Sequence, residues 1–139
     1  MEPLAVAVQA VKTADLRGNQ TVLVFGCGPI GVLCQAVSKI YGARKVVGVD
    51  ISKSRADFAK EFSADDVFVP ERGPKGVDAA KVTATKILEQ CGLGDGADVV
   101  LECTGAETCV QAGVFCTKSA GMFVQVGLGP DVSLPFSTV

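Results

Sequence analysis

The 139-residue sequence contains no histidine, and its six cysteines form no Cys-x-x-Cys pair. A complete zinc site would have to use cysteine and carboxylate ligands alone, at spacings that match no common zinc pattern. Four cysteines fall in apolar or helical stretches, where a free thiol behaves as a small buried hydrophobe. These four are Cys34, Cys103, Cys109 and Cys116. The sequence therefore predicts structural free thiols in place of metal ligands or a disulfide framework.

Long apolar runs, clustered charges and a secretory leader are also missing. No apolar run approaches the roughly 18 residues of a membrane span, and the net charge of −2 indicates no basic surface for nucleic acid. The N-terminus lacks the basic region and cleavage site of a signal peptide. With 48% hydrophobic and 20% charged residues, the composition indicates one soluble domain over residues 1–139, which we expect to be cytoplasmic.

Short apolar runs alternate with stretches of helical periodicity along the chain. We predict helices over 4–12, 29–41, 53–62, 78–91 and 106–117, and strands over 21–25, 45–49, 66–69, 97–102 and 121–126. The strands are continuous apolar runs, as expected for a parallel sheet with helices on both faces. The predicted fold class is α/β, a Rossmann-type doubly wound parallel sheet in the order 3-2-1-4-5 that lacks its last strand.

The stretch GCGPIG at residues 26–31 follows the first predicted strand and opens the second predicted helix. In that context the Gly-x-Gly-x-x-Gly spacing is typical of dinucleotide binding. Gly26 permits the tight turn, Gly28 lets a pyrophosphate approach the backbone, and Gly31 lets the helix pack close to the sheet. Pro29 costs little in the first turn of a helix. The alternative is that these glycines only make a tight strand-to-helix connection.

Asp50 ends the second predicted strand, 19 residues beyond Gly31, near the spacing expected for the acid that binds the adenosine ribose. Its carboxylate would accept hydrogen bonds from both ribose hydroxyls and repel a 2′-phosphate, which favours NAD over NADP. The alternative role for Asp50 is to cap the following turn, for which Ser52 is better placed. Arg55 lies either across the adenine face or in solvent on an exposed helix, and the sequence leaves both readings open.

Two further segments follow predicted strands and reach the same edge of the sheet. The segment 103–105 follows the fourth strand, and the segment 126–129 follows the fifth. The carboxyl ends of parallel strands share one edge, where ligands bind at the topological switch point. Thr104 and the run Val126-Gly127-Leu128 are therefore candidates to hold the nicotinamide half of the cofactor. An ordinary tight turn is the alternative for each segment taken alone, and their coincidence at one edge of the sheet favours a site.

The stretches GCGPIGVLCQAVSKIYGA, VVGVD, ECTGAE and QVGLG, with the opening EPLAVAVQAV, resemble the polyol branch of the zinc-dependent medium-chain dehydrogenases. This branch includes xylitol, sorbitol and L-arabinitol dehydrogenases, and the resemblance favours the fungal xylitol type. The resemblance implies NAD contacts at Ile30, Asp50, Arg55 and 126–128. It also implies that Glu2 lies beside the catalytic zinc and its water.

The resemblance further implies a function that this chain performs only in part. Enzymes of this family carry an N-terminal catalytic domain in which zinc polarises the polyol while hydride passes to NAD. Residues 1–139 resemble only the coenzyme-binding part of such an enzyme. We therefore expect residues 1–139 to be a coenzyme-binding fragment that binds NAD, holds no zinc and oxidises no polyol alone.

Two other classes of protein fit parts of the same pattern. One is a stand-alone regulatory module that senses NAD(H) or ATP without chemistry. The other, less favoured, is an S-adenosylmethionine methyltransferase, which also pairs a glycine turn with an acid after the second strand. The terminal VSLPFSTV at 132–139 is extended and apolar in character, which favours pairing with a second copy of the chain. A frayed tail is the alternative.

Overall fold

Helices and strands alternate through residues 2–129, which the computed structural model describes. The helices are α1 (Glu2–Thr13), α2 (Pro29–Ile40), α3 (Lys53–Phe62), α4 (Val77–Gln90) and α5 (Glu107–Cys116). The strands are β1 (Thr21–Phe25), β2 (Lys45–Val49), β3 (Asp66–Phe68), β4 (Ala97–Glu102) and β5 (Thr117–Gln125). The predicted order of elements is confirmed, and only the start of β5 departs from its predicted position by more than two residues.

The five strands form one parallel sheet in the order β3-β2-β1-β4-β5. This order and the α/β class confirm the sequence-based prediction. At the carboxyl edge, Phe25 of β1 is in register with Val49 of β2 and with Glu102 of β4. The segments that follow these three strands therefore emerge side by side. The predicted extended segment 132–139 lies outside the described residues, and its pairing with a second copy stays a prediction.

The core lies on both faces of the sheet because successive side chains of each strand point to opposite sides. All five residues of β1 are buried. Leu23 and Phe25 pack on the face covered by α4 and α5, whereas Val22 and Val24 pack on the face covered by α1 and α2. Among the helices of residues 2–129, none is long and apolar enough to cross a membrane.

Strand β5 begins at Thr117, directly after α5, although the sequence predicted a start at Gly121. Its pairing with β4 is irregular: Ala97 lies opposite Thr117, and the next pair joins Val99 to Met122. The intervening residues bulge out, and Ala120 adopts a φ of +63°. Residues 117–120 have no apolar alternation, so their pairing depends on the neighbouring strand and could not be predicted from local pattern.

The amino edge of the sheet is held by Asp98, the second residue of β4. Its Oδ2 accepts hydrogen bonds from the backbone N–H of Thr21 at 2.9 Å and from the Thr21 hydroxyl at 3.1 Å. Lys118 Nζ lies 3.5 Å from Oδ1. The backbone hydrogen bond from Thr21, with smaller contributions from its hydroxyl and from Lys118, lowers the pKa of Asp98 below its ordinary value.

We expect Asp98→Asn to lower the free energy of unfolding by about 1 kcal/mol at neutral pH, because charge-assisted hydrogen bonds become neutral ones. A carboxyl whose pKa falls on folding stabilises the protein above its unfolded pKa and loses that contribution as the pH drops through its folded pKa. Urea unfolding should therefore show a constant difference between the two proteins from pH 7 to about 5, shrinking below about 4. A difference that does not change with pH would contradict this assignment.

Candidate functional site

The turn between β1 and α2 is built from glycines that have different steric roles. Gly26 has a φ of +102°, which side chains rarely adopt, and its N–H donates to the carbonyl of Val49 at 2.7 Å. A Cβ on Gly31 would lie 1.8 Å from the carbonyl oxygen of Gly26. Helix α2 therefore meets the end of β1 at a distance that only glycine permits. The roles predicted for Gly26 and Gly31 are confirmed in geometry.

Gly28 faces open space. A Cβ placed on it would meet nothing closer than Arg55 Nη1, at 4.0 Å. Gly28 is also the N-cap of α2, with no side-chain capping hydrogen bond, and Pro29 follows at the first helical position. The first-turn N–H groups, including that of Ile30, and the positive end of the helix dipole are therefore available to an anion above Gly28.

Asp50 lies immediately after β2 and beside the glycine turn. Its Oδ2 accepts a hydrogen bond from the N–H of Cys27 at 2.9 Å, and its Oδ1 accepts one from the N–H of Ser52 at 2.8 Å. Ser52 in turn caps α3 by accepting from the N–H of Arg55. Asp50 thus caps the turn that follows it, which was the alternative role, and it also binds the glycine turn through Cys27. Because two carboxylate oxygens offer about four acceptor positions, it can still bind hydroxyl groups.

The guanidinium group of Arg55 extends from α3 toward the glycine turn. The side chain is exposed, yet its Nη1 is the nearest group to the open space above Gly28. A cation there complements the helix dipole in favouring a bound phosphate. The two sequence-based readings, stacking on adenine and solvation on an exposed helix, stay predictions.

The segments after β4 and β5 pack backbone against backbone. The carbonyl of Glu102 accepts hydrogen bonds from the N–H groups of Val126 at 2.7 Å and Gly127 at 2.8 Å. A Cβ on Gly105 would lie 2.1 Å from the carbonyl oxygen of Leu128. The predicted meeting of these segments at one edge is confirmed. Leu128 itself is 96% exposed, so its side chain is open to a ligand.

Thr104 connects these segments to the glycine turn. Its side chain is exposed at the carboxyl edge, and its Cγ2 would lie 3.0 Å from a Cβ on Gly26. Along that edge the structure therefore places Asp50, the glycine turn, the loop 103–105 and the loop 126–128 in consecutive positions. This is a continuous surface with an acid at one end and the N-terminus of α2, which has no side-chain cap, in the middle.

A cleft of about 360 Å³ opens beside Asp50 and was not predicted from the sequence. Ile51, which is 53% exposed, lies on one side of it, and Thr108 of α5 and the loop 70–75 lie on the others. An exposed branched apolar residue directly after the acid was the available signal for this cleft. Its apolar lining and its place next to Asp50 suit a planar base.

The described residues do not fit a zinc site. Within residues 2–129 no group of three or more His, Cys, Asp or Glu side chains could hold a metal ion. Glu2, the first residue of α1, lies by an apolar groove with Val124 and Val126, and one carboxylate cannot hold zinc alone. Burial, the largest influence, raises the pKa of the Cys27 thiol to about 11, which opposes the thiolate that binds metals.

A doubly wound parallel sheet with an open glycine turn, an uncapped helix N-terminus and an acid after the second strand defines a Rossmann-type dinucleotide-binding domain. The family model for zinc-binding dehydrogenases matches residues 29–139. The chain therefore belongs to the zinc-binding dehydrogenase family.

Relatives and solved structures place the chain within that family. It is 46% identical over 136 residues to D-xylulose reductase A of Aspergillus niger, covering 97% of this chain and 37% of that protein. L-idonate 5-dehydrogenase from Escherichia coli is 31% identical with a TM-score of 0.79, over 99% of this chain and 36% of that one. A zinc-binding dehydrogenase from Sinorhizobium meliloti, bound to NADP, is 25% identical with a TM-score of 0.83. The match covers 97% of this chain and 38% of that one.

These comparisons confirm the resemblance to the polyol branch. The chain spans little more than a third of the length of the curated relatives it matches.

We expect Gly31→Ala to prevent stable folding, because its new Cβ would overlap the backbone oxygen of Gly26 and backbone cannot move aside cheaply. Gly28→Ala is the matched control in the same motif. Its φ of −76° is ordinary for alanine, and its Cβ has room, so the free energy of unfolding should stay within about 1 kcal/mol of the unsubstituted chain. Thermal unfolding followed by circular dichroism measures both. Equal melting temperatures for the two variants would contradict the close contact.

Proposed function

We propose that this chain is the NAD-binding domain, over residues 1–139, of a zinc-dependent polyol dehydrogenase of the xylitol dehydrogenase type. The whole enzyme would oxidise xylitol, or a related polyol such as sorbitol or arabinitol, to the ketose with hydride transfer to NAD. The observation that carries the proposal is the open space above Gly28, bounded by an uncapped helix N-terminus and Arg55 and flanked by Asp50. The 46% identity to a D-xylulose reductase supports the substrate class.

The residues present fit a nicotinamide dinucleotide. The N-terminus of α2 and Arg55 would bind the pyrophosphate, and Asp50 would accept hydrogen bonds from the adenosine ribose hydroxyls. The cleft at Ile51 would take the adenine. The segments 103–105 and 126–128 would then face the nicotinamide half, because the ligand continues across the glycine turn toward β4 and β5.

We infer a preference for NAD over NADP from Asp50. A carboxylate at the ribose hydroxyls repels a 2′-phosphate. The NADP bound to the Sinorhizobium meliloti relative supports a nicotinamide dinucleotide as the cofactor class. The inferred preference for NAD rests on Asp50.

The residue types at the site indicate which part of the reaction this chain would support and which part the cofactor would supply. The bound dinucleotide supplies the hydride acceptor. The chain contributes binding and orientation, since the groups it presents around the glycine turn are backbone N–H groups, the Asp50 carboxylate and the Arg55 guanidinium. Zinc and the polyol would be held by other parts of a longer enzyme, so we expect no polyol oxidation by this chain alone. Membership of the dehydrogenase family argues against a methyltransferase or a purely regulatory module.

We expect Asp50→Ala to weaken NAD binding about tenfold or more, the cost of losing hydrogen bonds to a charged group. The same change should narrow the preference for NAD over NADP, because the repulsion of the 2′-phosphate disappears. Isothermal titration calorimetry with NAD, NADP and S-adenosylmethionine measures both effects.

Asp57→Ala is the matched control for this experiment. Asp57 is also an acid, lies on α3 and makes an exposed ion pair with Lys53 at 3.2 Å, so its removal should leave NAD binding unchanged. Thermal unfolding of each variant checks that the fold persists, since Asp50 also holds the N–H of Cys27. Absence of dinucleotide binding by the unsubstituted chain, or tightest binding of S-adenosylmethionine, would overturn the proposed function.

We expect Arg55→Ala to weaken NAD binding about tenfold and to reduce its sensitivity to salt, because a charge-assisted phosphate contact is screened by ions. Arg17→Ala is the control, since Arg17 is an exposed arginine paired with Asp15 at the amino edge of the sheet. Titrations at 50 and 500 mM NaCl make the comparison. Unchanged affinity in Arg55→Ala would show that this side chain is only solvated.

A further inference from the structure

Glu102, the last residue of β4, carries a fully buried carboxylate, with 0% of its surface exposed. No ion pair within residues 2–129 involves it. Burying a carboxylate without a cation costs several kcal/mol unless hydrogen bonds replace the lost water. Hydrogen bonds must therefore stabilise the Glu102 carboxylate, which lies at the carboxyl edge of the sheet beside the candidate site.

The side chain of Glu102 binds the loop that follows it. Its Oε1 accepts hydrogen bonds from the N–H of Thr104 at 2.8 Å and from the Thr104 hydroxyl, and its Oε2 accepts from the N–H of Gly105 at 2.9 Å. The Thr104 hydroxyl also accepts from the N–H of Ala106 at 3.0 Å. These bonds direct the N–H groups of the loop toward the Glu102 carboxylate and constrain the backbone between β4 and α5.

The main chain of Glu102 binds the second loop. Its carbonyl accepts from the N–H groups of Val126 and Gly127, and Gly105 packs against Leu128 at backbone contact. One residue therefore positions both segments that face the nicotinamide half of the proposed cofactor. The adenosine half meets Asp50 and the glycine turn, neither of which the Glu102 side chain bonds.

We propose that Glu102 is a positioning residue for the nicotinamide half of the dinucleotide. Its carboxylate fixes the loop 103–105, and through Gly105 it fixes the loop 126–128, at the edge where the nicotinamide riboside would lie. This inference rests on the proposed function, since it assigns the two halves of the ligand to the two halves of the carboxyl edge.

The test compares two ligands on the same protein. ADP has the adenosine and pyrophosphate groups of NAD but lacks the nicotinamide riboside. In Glu102→Gln one oxygen becomes an amide nitrogen, which cannot accept from a backbone N–H. We expect calorimetry to show NAD affinity lowered about tenfold, the loss of one hydrogen bond to a charged group, while ADP affinity changes less than about twofold. If Glu102 only stabilised the fold, the substitution would lower the affinities for NAD and ADP equally.

Asp98→Asn is the matched control, because it makes the same carboxylate-to-amide change on the same strand at the opposite edge of the sheet. It should lower the melting temperature and leave the ratio of NAD to ADP affinity unchanged. If Glu102→Gln does not fold, Thr104→Val replaces it, since that variant removes the hydroxyl that donates to Glu102 and accepts from the N–H of Ala106. It should shift the ratio in the same direction, and Thr104→Ser should restore it.

The outcomes separate the two proposals. A folded variant that lowers NAD and ADP affinity equally, or neither, overturns the role of Glu102 while leaving the NAD-binding function in place. Binding of neither ligand by the unsubstituted chain overturns the proposed function and the inference with it. A selective loss of NAD affinity supports both.

Discussion

The contact between Gly31 and the carbonyl oxygen of Gly26 sets the geometry of the whole carboxyl edge. At a distance where a Cβ would lie 1.8 Å from that oxygen, α2 starts directly over the end of β1 and directs its free N–H groups into the space above Gly28. Strand β1 is also the central strand, and Phe25 is in register with Val49 and Glu102. Its end therefore determines where the neighbouring segments emerge.

Carboxylates at strand ends hold these segments through backbone N–H groups. At the amino edge, Asp98 accepts from Thr21, and Asp65 accepts from the N–H of Val46 at 2.8 Å, so both acids join strands. At the carboxyl edge, Asp50 and Glu102 accept from the N–H groups of the turns that follow β1 and β4. The same physical device thus stabilises the sheet at one edge and shapes the ligand surface at the other.

Much of the site could be predicted because its residues act through properties that sequence shows directly. A glycine between a strand and a helix indicates a position with no room for a side chain. The spacing from Gly31 to Asp50 matches the combined length of one helix and one strand. The cleft at Ile51 and the role of Glu102 were not predicted, because both depend on segments distant in sequence. The early start of β5 was missed because Thr117 pairs with Ala97 without any apolar pattern.

By itself, the sequence determined the α/β class and the strand order, because apolar periodicity, glycine spacing and right-handed crossovers are local or topological constraints. It also indicated the family, through the resemblance of stretches such as ECTGAE and QVGLG. Only the tertiary structure decided that Arg55 reaches over Gly28 and that Asp50 also holds Cys27. It alone showed that Glu102 is fully buried between two loops. Long side chains have many rotamers, and which one is occupied depends on neighbours that the fold brings together.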